Sequence, residues 1–231
     1  MLRISLVIAA VLTGSAQNAA DPGPRLEASL VSDKPVYAPL EPVTLTLTVW
    51  NPSSVDVITR GGLELSGVFL VETAGESGRF RPYHTGLSGL VAYPSLTLHP
   101  GERHSSQLVM VTNGSGRHHL SDEATAFYPF LNPGKYRIRT SAPEFLLDGR
   151  QQLPRLESTI EIAVRPASEA EKDAIAFFGT LEEFAGAVGS ADIPFAYEKL
   201  PRWAEFANKH PESVYTPAIV RNLARIHARA Q

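Results

Sequence analysis

The sequence predicts a mainly β fold, an antiparallel β-sandwich followed by a small helical segment, and three observations carry that prediction. Short runs that alternate apolar and polar residues recur from Leu26 to Val164, two Pro-Gly pairs punctuate them, and after Arg165-Pro166-Ala167-Ser168 the hydrophobic period changes from two to nearly four. Alternation sends successive side chains to opposite faces of a half-buried strand, whereas apolar residues three or four apart share one face of a helix.

At the N-terminus Arg3 precedes the apolar run Ile4 to Leu12, which ends at Thr13-Gly14-Ser15-Ala16. This pattern reads as a secretory signal peptide, with cleavage expected after Ala16 and Ala19 or Ala20 as alternatives. The run falls well short of the roughly 20 apolar residues that span a bilayer. Residues 17–25 are expected to link it to a sandwich at 26–165, with a helical region at 166–231.

The strands are expected at Leu26–Val31, Pro42–Trp50, Val55–Thr59, Gly67–Thr73, Arg79–Tyr83, Leu90–Leu98, Ser105–Val111, Lys135–Ser141 and Leu156–Val164. The second begins with the clearest alternation in the chain: Val43, Leu45, Leu47 and Val49 fall on one face and three threonines on the other. Pro100-Gly101 and Pro133-Gly134 both fit type II turns, in which proline sets the second residue and glycine takes the positive φ of the third. Beyond the second pair Tyr136 and Ile138 share a face, opposite Lys135, Arg137 and Arg139.

In the helical region Ser168 with Glu171 and Thr180 with Glu183 fit the capping box, and Gly179 between them is a natural stop. Leu200, Trp203 and Phe206 suit a further helix, and Tyr215, Ile219, Leu223 and Ile226 form a stripe on the last. A segment of this size is marginal alone, burying only about 60% of its unfolded surface, so it is expected to dock on the sandwich.

Composition excludes several classes of chemistry. Without cysteine there is no disulfide framework, thiolate nucleophile or cysteine zinc site. Lys plus Arg total 21 against 24 for Asp plus Glu, which argues against nucleic acid as a partner. Of the seven histidines, His118-His119 are adjacent, with His84, His99 and His104 elsewhere in the β region, and their spacing matches no metal-ligand motif. Gly86-Leu87-Ser88-Gly89 lacks the fifth-position glycine of a nucleophile elbow and reads as a turn. No catalytic, cofactor-binding or metal residue is assigned, and no cofactor.

The segment Asp33-Lys34-Pro35-Val36-Tyr37-Ala38-Pro39 with Val43 resembles the start of immunoglobulin-like domains of the macroglobulin and complement superfamily, whose pattern is Asp-Lys-Pro-x-Tyr-x-Pro-Gly. Leu40 stands where that pattern has glycine. The resemblance implies an immunoglobulin-like sandwich, and protease inhibition by analogy. Phe206 to Tyr215 resembles the inter-helix linker of tetratricopeptide-like periplasmic proteins, with His210 in place of the usual tyrosine.

Other surface features are Trp50, which alternates toward the threonine face, the basic stripe Arg221, Arg225 and Arg229, an irregular segment from Asn113 to Asn132, and the Asn113-Gly114-Ser115 sequon. The expected role is an exported, non-catalytic binding or interaction protein, periplasmic or extracellular, that presents sandwich loops or a sheet edge to another exported protein. The alternatives are an inhibitor of an exported protease and an unrecognised hydrolase or carbohydrate-binding protein.

Overall fold

The computed structural model describes residues 24–59, 62–63, 65, 69–83, 95–111, 128–142, 146–147, 151–153, 155–189 and 197–229. The expected signal peptide, His84, His118, His119, the Gly86 to Gly89 turn and the Asn113 sequon lie outside the described residues.

Among the described residues the strands are β1 (Glu27–Ser32), β2 (Val36–Tyr37), β3 (Val43–Trp50), β4 (Val57–Thr59), β5 (Leu70–Ala74), β6 (Arg81–Tyr83), β7 (Leu96–Leu98), β8 (Arg103–Met110), β9 (Gly134–Ser141), β10 (Leu146–Leu147), β11 (Gln151–Gln152) and β12 (Glu157–Val164). Helices α1 (Glu169–Phe177), α2 (Leu181–Val188), α3 (Leu200–Lys209) and α4 (Thr216–Arg229) follow. One sheet has the order β1-β3-β8 and the other β2-β12-β9-β5-β6, with β4-β7 and β10-β11 as separate pairs. This is an immunoglobulin-like sandwich in which the chain changes sheets between β1, antiparallel to β3, and β2, parallel to β12.

The alternation along β3 appears directly in burial. Val43, Leu45, Leu47 and Val49 are no more than 1% exposed, while the threonines between them are half-buried. Each such side chain contributes roughly 1.5–3 kcal/mol on leaving water, which makes β3 the centre of the sandwich core. On β9 the cationic face is paired across strands: Arg139 meets Glu72 at 2.7 Å and Lys135 meets Glu161 at 3.3 Å.

Several strand boundaries differ from expectation, and β2, β10 and β11 were not anticipated. Two-residue strands are too short to show a period. β4 begins at Val57, because Asn51, Ser53 and Val55 are tied into a hydrogen-bonded loop before it.

The first Pro-Gly pair forms the expected turn, with Gly101 at φ 77° and Glu102 N donating to His99 O at 2.9 Å. The second does not. Gly134 has φ 152°, far from the ~80° of a type II turn, because it already pairs with Val164 as the first residue of β9. Replacing Gly101 by alanine is expected to cost about 1 kcal/mol, since a Cβ there meets nothing and only the positive φ is penalised. A thermal melt shifted by several degrees would show this, and an unchanged one would contradict it.

The helices begin as the caps dictate. Ser168 Oγ accepts from Glu171 N and the Glu171 carboxylate accepts from Ser168 N at 2.8 Å, a complete capping box. At Thr180 only half the box forms: Thr180 Oγ1 accepts from Glu183 N at 3.1 Å, but the Glu183 carboxylate turns to Arg202. Gly179, at φ 78°, ends α1.

A second core joins the helices to one end of the sandwich. Ala38, Leu40, Val111 and Tyr128 pack with Phe178, Phe184, Trp203, Phe206, Tyr215 and Ile219. Tyr215 Oη donates to Pro39 O at 2.8 Å across 176 residues of sequence. Tyr215→Phe keeps the ring but leaves a buried carbonyl unpaired, so a loss of about 1–2 kcal/mol in urea denaturation is expected. An unchanged midpoint would show that the bond contributes nothing.

Candidate functional site

The helix-bearing end of the sandwich also carries a cleft of about 290 Å³. Its wall is the β5–β6 hairpin, which turns at Gly75 to Gly78 with Gly78 N donating to Gly75 O at 2.9 Å. β5 delivers Thr73, the turn delivers Glu76 and Ser77, and the returning arm delivers Arg79 and Arg81. Register pairs Thr73 with both Arg81 and Ile138, so Arg81 lies on the core-side face of the sheet, at its rim. Arg79, two residues earlier, falls on the same side along an extended chain.

The floor comes from Tyr128, Pro129, Asn132 and Tyr136. Tyr136 Oη donates to Asn132 O at 2.7 Å, the hydrogen-bonded tyrosine corner that immunoglobulin-like sandwiches place near the start of this strand. Its ring is closed in on one side by Gly75, where a Cβ would lie 3.5 Å away, and meets Phe130 edge-on at 5.5 Å. Burial and the nearby Glu76 charge raise the Tyr136 pKa, and burial with Glu182 raises that of Tyr128. Both hydroxyls therefore stay protonated at neutral pH, and neither is a base.

Arg79 and Glu76 are exposed and form no ion pair with each other or with another described residue. The cleft thus offers a guanidinium with its donors unused, a second guanidinium, and short polar side chains. Among the described residues no three His, Asp or Glu side chains converge as a metal site would require.

The other sequence candidates disperse. His99 Nδ1 lies 2.9 Å from Asp56 Oδ1 on the surface, and that contact raises the His99 pKa. His210 stacks on Phe206 at 4.8 Å, as a capping ring of the helical core. Trp50 is half-buried with the Arg103 guanidinium 5.6 Å above it, so its face is already occupied by a cation. Arg221 and Arg225 are exposed on α4 and do not line the cleft.

The edges of the five-stranded sheet are poor templates for a further strand. β6 carries Pro82, which has no N–H to donate, and β2 is two residues long between Pro35 and Pro39. Leu30 N on β1 donates to Ser158 Oγ of β12 at 3.1 Å, and Ser106 on β8 bonds Leu65 N and Leu63 O. The cleft was not legible in the sequence, although Arg79 and Arg81 bracketing a strand-end Phe80 gave a weak signal.

No family model matches the chain, and no curated protein matches it. Among solved structures it is similar to the CARDB domain of a Pyrococcus furiosus protein, solved in complex with di-metal ions, with 12% identity over 62% of this chain and 96% of that one at a TM-score of 0.34. Spo0M, a sporulation control protein from Bacillus subtilis, matches at 12% identity over 67% of this chain and 55% of its own, with a TM-score of 0.33. A beta-glucosidase from Listeria innocua in complex with glucose matches at 14% identity over 62% of this chain and 16% of its own, with a TM-score of 0.35.

Proposed function

We propose that this is an exported, non-catalytic binding protein, periplasmic or extracellular, that recognises another exported protein through the cleft and loops at the helix-bearing end of its sandwich. The observation that carries the reading is the unpaired Arg79 at the mouth of a polar cleft of about 290 Å³. Pro82 in β6 and the two-residue length of β2 make strand addition to their sheet the poorer route for a partner. The two tyrosines that line the cleft, Tyr128 buried and Tyr136 half-buried, are held protonated, so they suit shape and not proton transfer.

Export rests on the Arg3, Ile4 to Leu12 and Gly14-Ser15-Ala16 pattern. The macroglobulin-type corner at Asp33 to Pro39 supports a sandwich that contacts proteins through loops. Helices pack against that corner and against Tyr128 of the cleft floor.

The test is capture from an envelope extract with the purified mature protein, identification of the partner by mass spectrometry, and reconstitution from purified components. A reproducible complex weakened by Arg79→Glu is expected. Capture that Arg79→Glu does not alter, or turnover in a hydrolase substrate panel, would overturn the reading. Fractionation and N-terminal sequencing of the expressed full chain should find it outside the cytoplasm and starting at Gln17.

A further inference from the structure

We infer that the cleft beside the β5–β6 turn is a carboxylate subsite, which receives an acidic side chain from an extended segment of the partner. The inference rests on the binding reading above and adds the chemistry that the cleft selects.

The cleft leaves the exposed Arg79 guanidinium without an ion-pair partner among the described residues, in contrast to Arg139, Arg165 and Arg202, each of which meets a glutamate. Arg81 lies on the same side of the hairpin arm and lines the same cleft. A guanidinium presents a planar fork of donors that matches a carboxylate in two parallel hydrogen bonds. Ser77, Thr73 and Asn132 supply further polar groups at the rim.

Two other ligand chemistries fit less well. A sugar ring needs a broad aromatic face to lie on, whereas Tyr128 is 8% exposed and Tyr136 is half-buried with Phe130 edge-on against it at 5.5 Å. A doubly charged phosphate would be repelled by Glu76, which lines the cleft without a cation of its own. A singly charged, planar carboxylate tolerates that neighbour, and the side chain of Asp or Glu fits the available volume. Backbone groups of an extended segment can then reach Ser77 and Asn132 at the mouth.

Fluorescence anisotropy tests this with a labelled peptide that alternates aspartate with glycine and a control that alternates asparagine with glycine. The aspartate peptide is expected to bind about tenfold or more tightly than the control, and more weakly as ionic strength rises. Arg79→Ala should loosen it by about fivefold or more, and Arg79→Lys should restore only part of the loss, because lysine keeps the charge without the fork. Both variants sit at an exposed position, so their melting temperatures should match the parent and a binding change will not reflect unfolding.

Equal binding of the two peptides, or binding unaffected by Arg79→Ala, overturns the subsite. Displacement of the peptide by glucuronate or inorganic phosphate at lower concentration than by free glutarate also overturns it, in favour of a sugar acid or a phosphate. The wider reading fails separately. If Arg79→Ala captures the envelope partner as well as the parent does while Arg79→Glu does not, the carboxylate subsite falls and the binding function stands. If the aspartate peptide binds through Arg79 but no partner is captured, the binding function falls and the subsite stands.

Discussion

Replacing Asn51 by alanine is expected to destabilise the protein by about 3–5 kcal/mol, read as a lower urea midpoint with an unchanged slope. Asn51 is fully buried and uses every polar atom it has. Its Nδ2 donates to Val55 O at 2.7 Å and Leu98 O at 2.9 Å, and its Oδ1 accepts from Ser53 N at 3.0 Å. Its own backbone closes the hairpin turn, with Gly101 N donating to Asn51 O at 2.7 Å. Alanine would leave Leu98 O and Ser53 N without these partners in the interior, each costing about 1–3 kcal/mol, while Val55 O keeps its bond from Ser53 Oγ. The loop before β4 and the β7–β8 turn would lose their buried side-chain tie and keep only the surface contact of His99 with Asp56.

Asn51→Asp separates hydrogen bonding from shape. The carboxylate keeps the volume and still accepts from Ser53, but it points acceptors at two carbonyls. It should therefore be at least as damaging as alanine at neutral pH and should recover part of the loss in acid, where a protonated carboxyl can donate one bond. An Asn51→Ala protein within about 0.5 kcal/mol of the parent would show that water replaces the side chain and that the network is not structural.

The sequence made the strands of the sandwich readable where one face is buried and the other is not. β3, β9 and β12 alternate because each has a core side and a solvent side, and their cores are where the period placed them. Asn51 was missed because a buried asparagine and a loop asparagine look alike in a sequence; the Asn51-Pro52-Ser53 triplet signalled a turn and nothing about burial. The second Pro-Gly pair was misread for a related reason. Proline and glycine permit a type II turn, but pairing of Gly134 with Val164 extends the chain instead. The cleft leaves only the weak Arg79-Phe80-Arg81 signal in the sequence: Gly75 and Arg79 lie on the β5–β6 hairpin and Asn132 and Tyr136 on a later segment, and the pairing of β5 with β9 brings the two together.

Charge in the helical region carries a pH dependence whose sign follows from its cause. Arg165 bonds the Glu171 carboxylate, the largest influence on that group, and holds its pKa below the ordinary carboxylate value. A carboxylate held low in the folded state contributes stability above its unfolded pKa, and that contribution is lost as pH falls through the folded value. Melting temperatures of the parent and of Glu171→Gln should therefore converge in acid. A constant difference across that range would contradict the pairing.

Leu40 is the position where the departure from the superfamily pattern becomes informative. Glu41 N donates to Ala38 O at 3.2 Å, so Pro39 and Leu40 are the central residues of a turn whose third position requires positive φ. Leu40 occupies it at φ 58°, which costs a non-glycine residue about 1–2 kcal/mol. Its side chain is 1% exposed, packed in the core shared with the helices, and that burial offsets the strain by roughly 2–3 kcal/mol. The turn residue is a peg that joins two parts of the chain. Leu40→Ala keeps the strain and loses the peg, so a loss of about 2–4 kcal/mol is expected. Leu40→Gly loses the same contacts but relieves the backbone, and even after the greater freedom of an unfolded glycine it should be less damaging than alanine by about 0.5–1 kcal/mol. That order reverses the usual ranking of alanine above glycine. If alanine proves the milder substitution, the turn is not strained at Leu40 and the residue is held by packing alone.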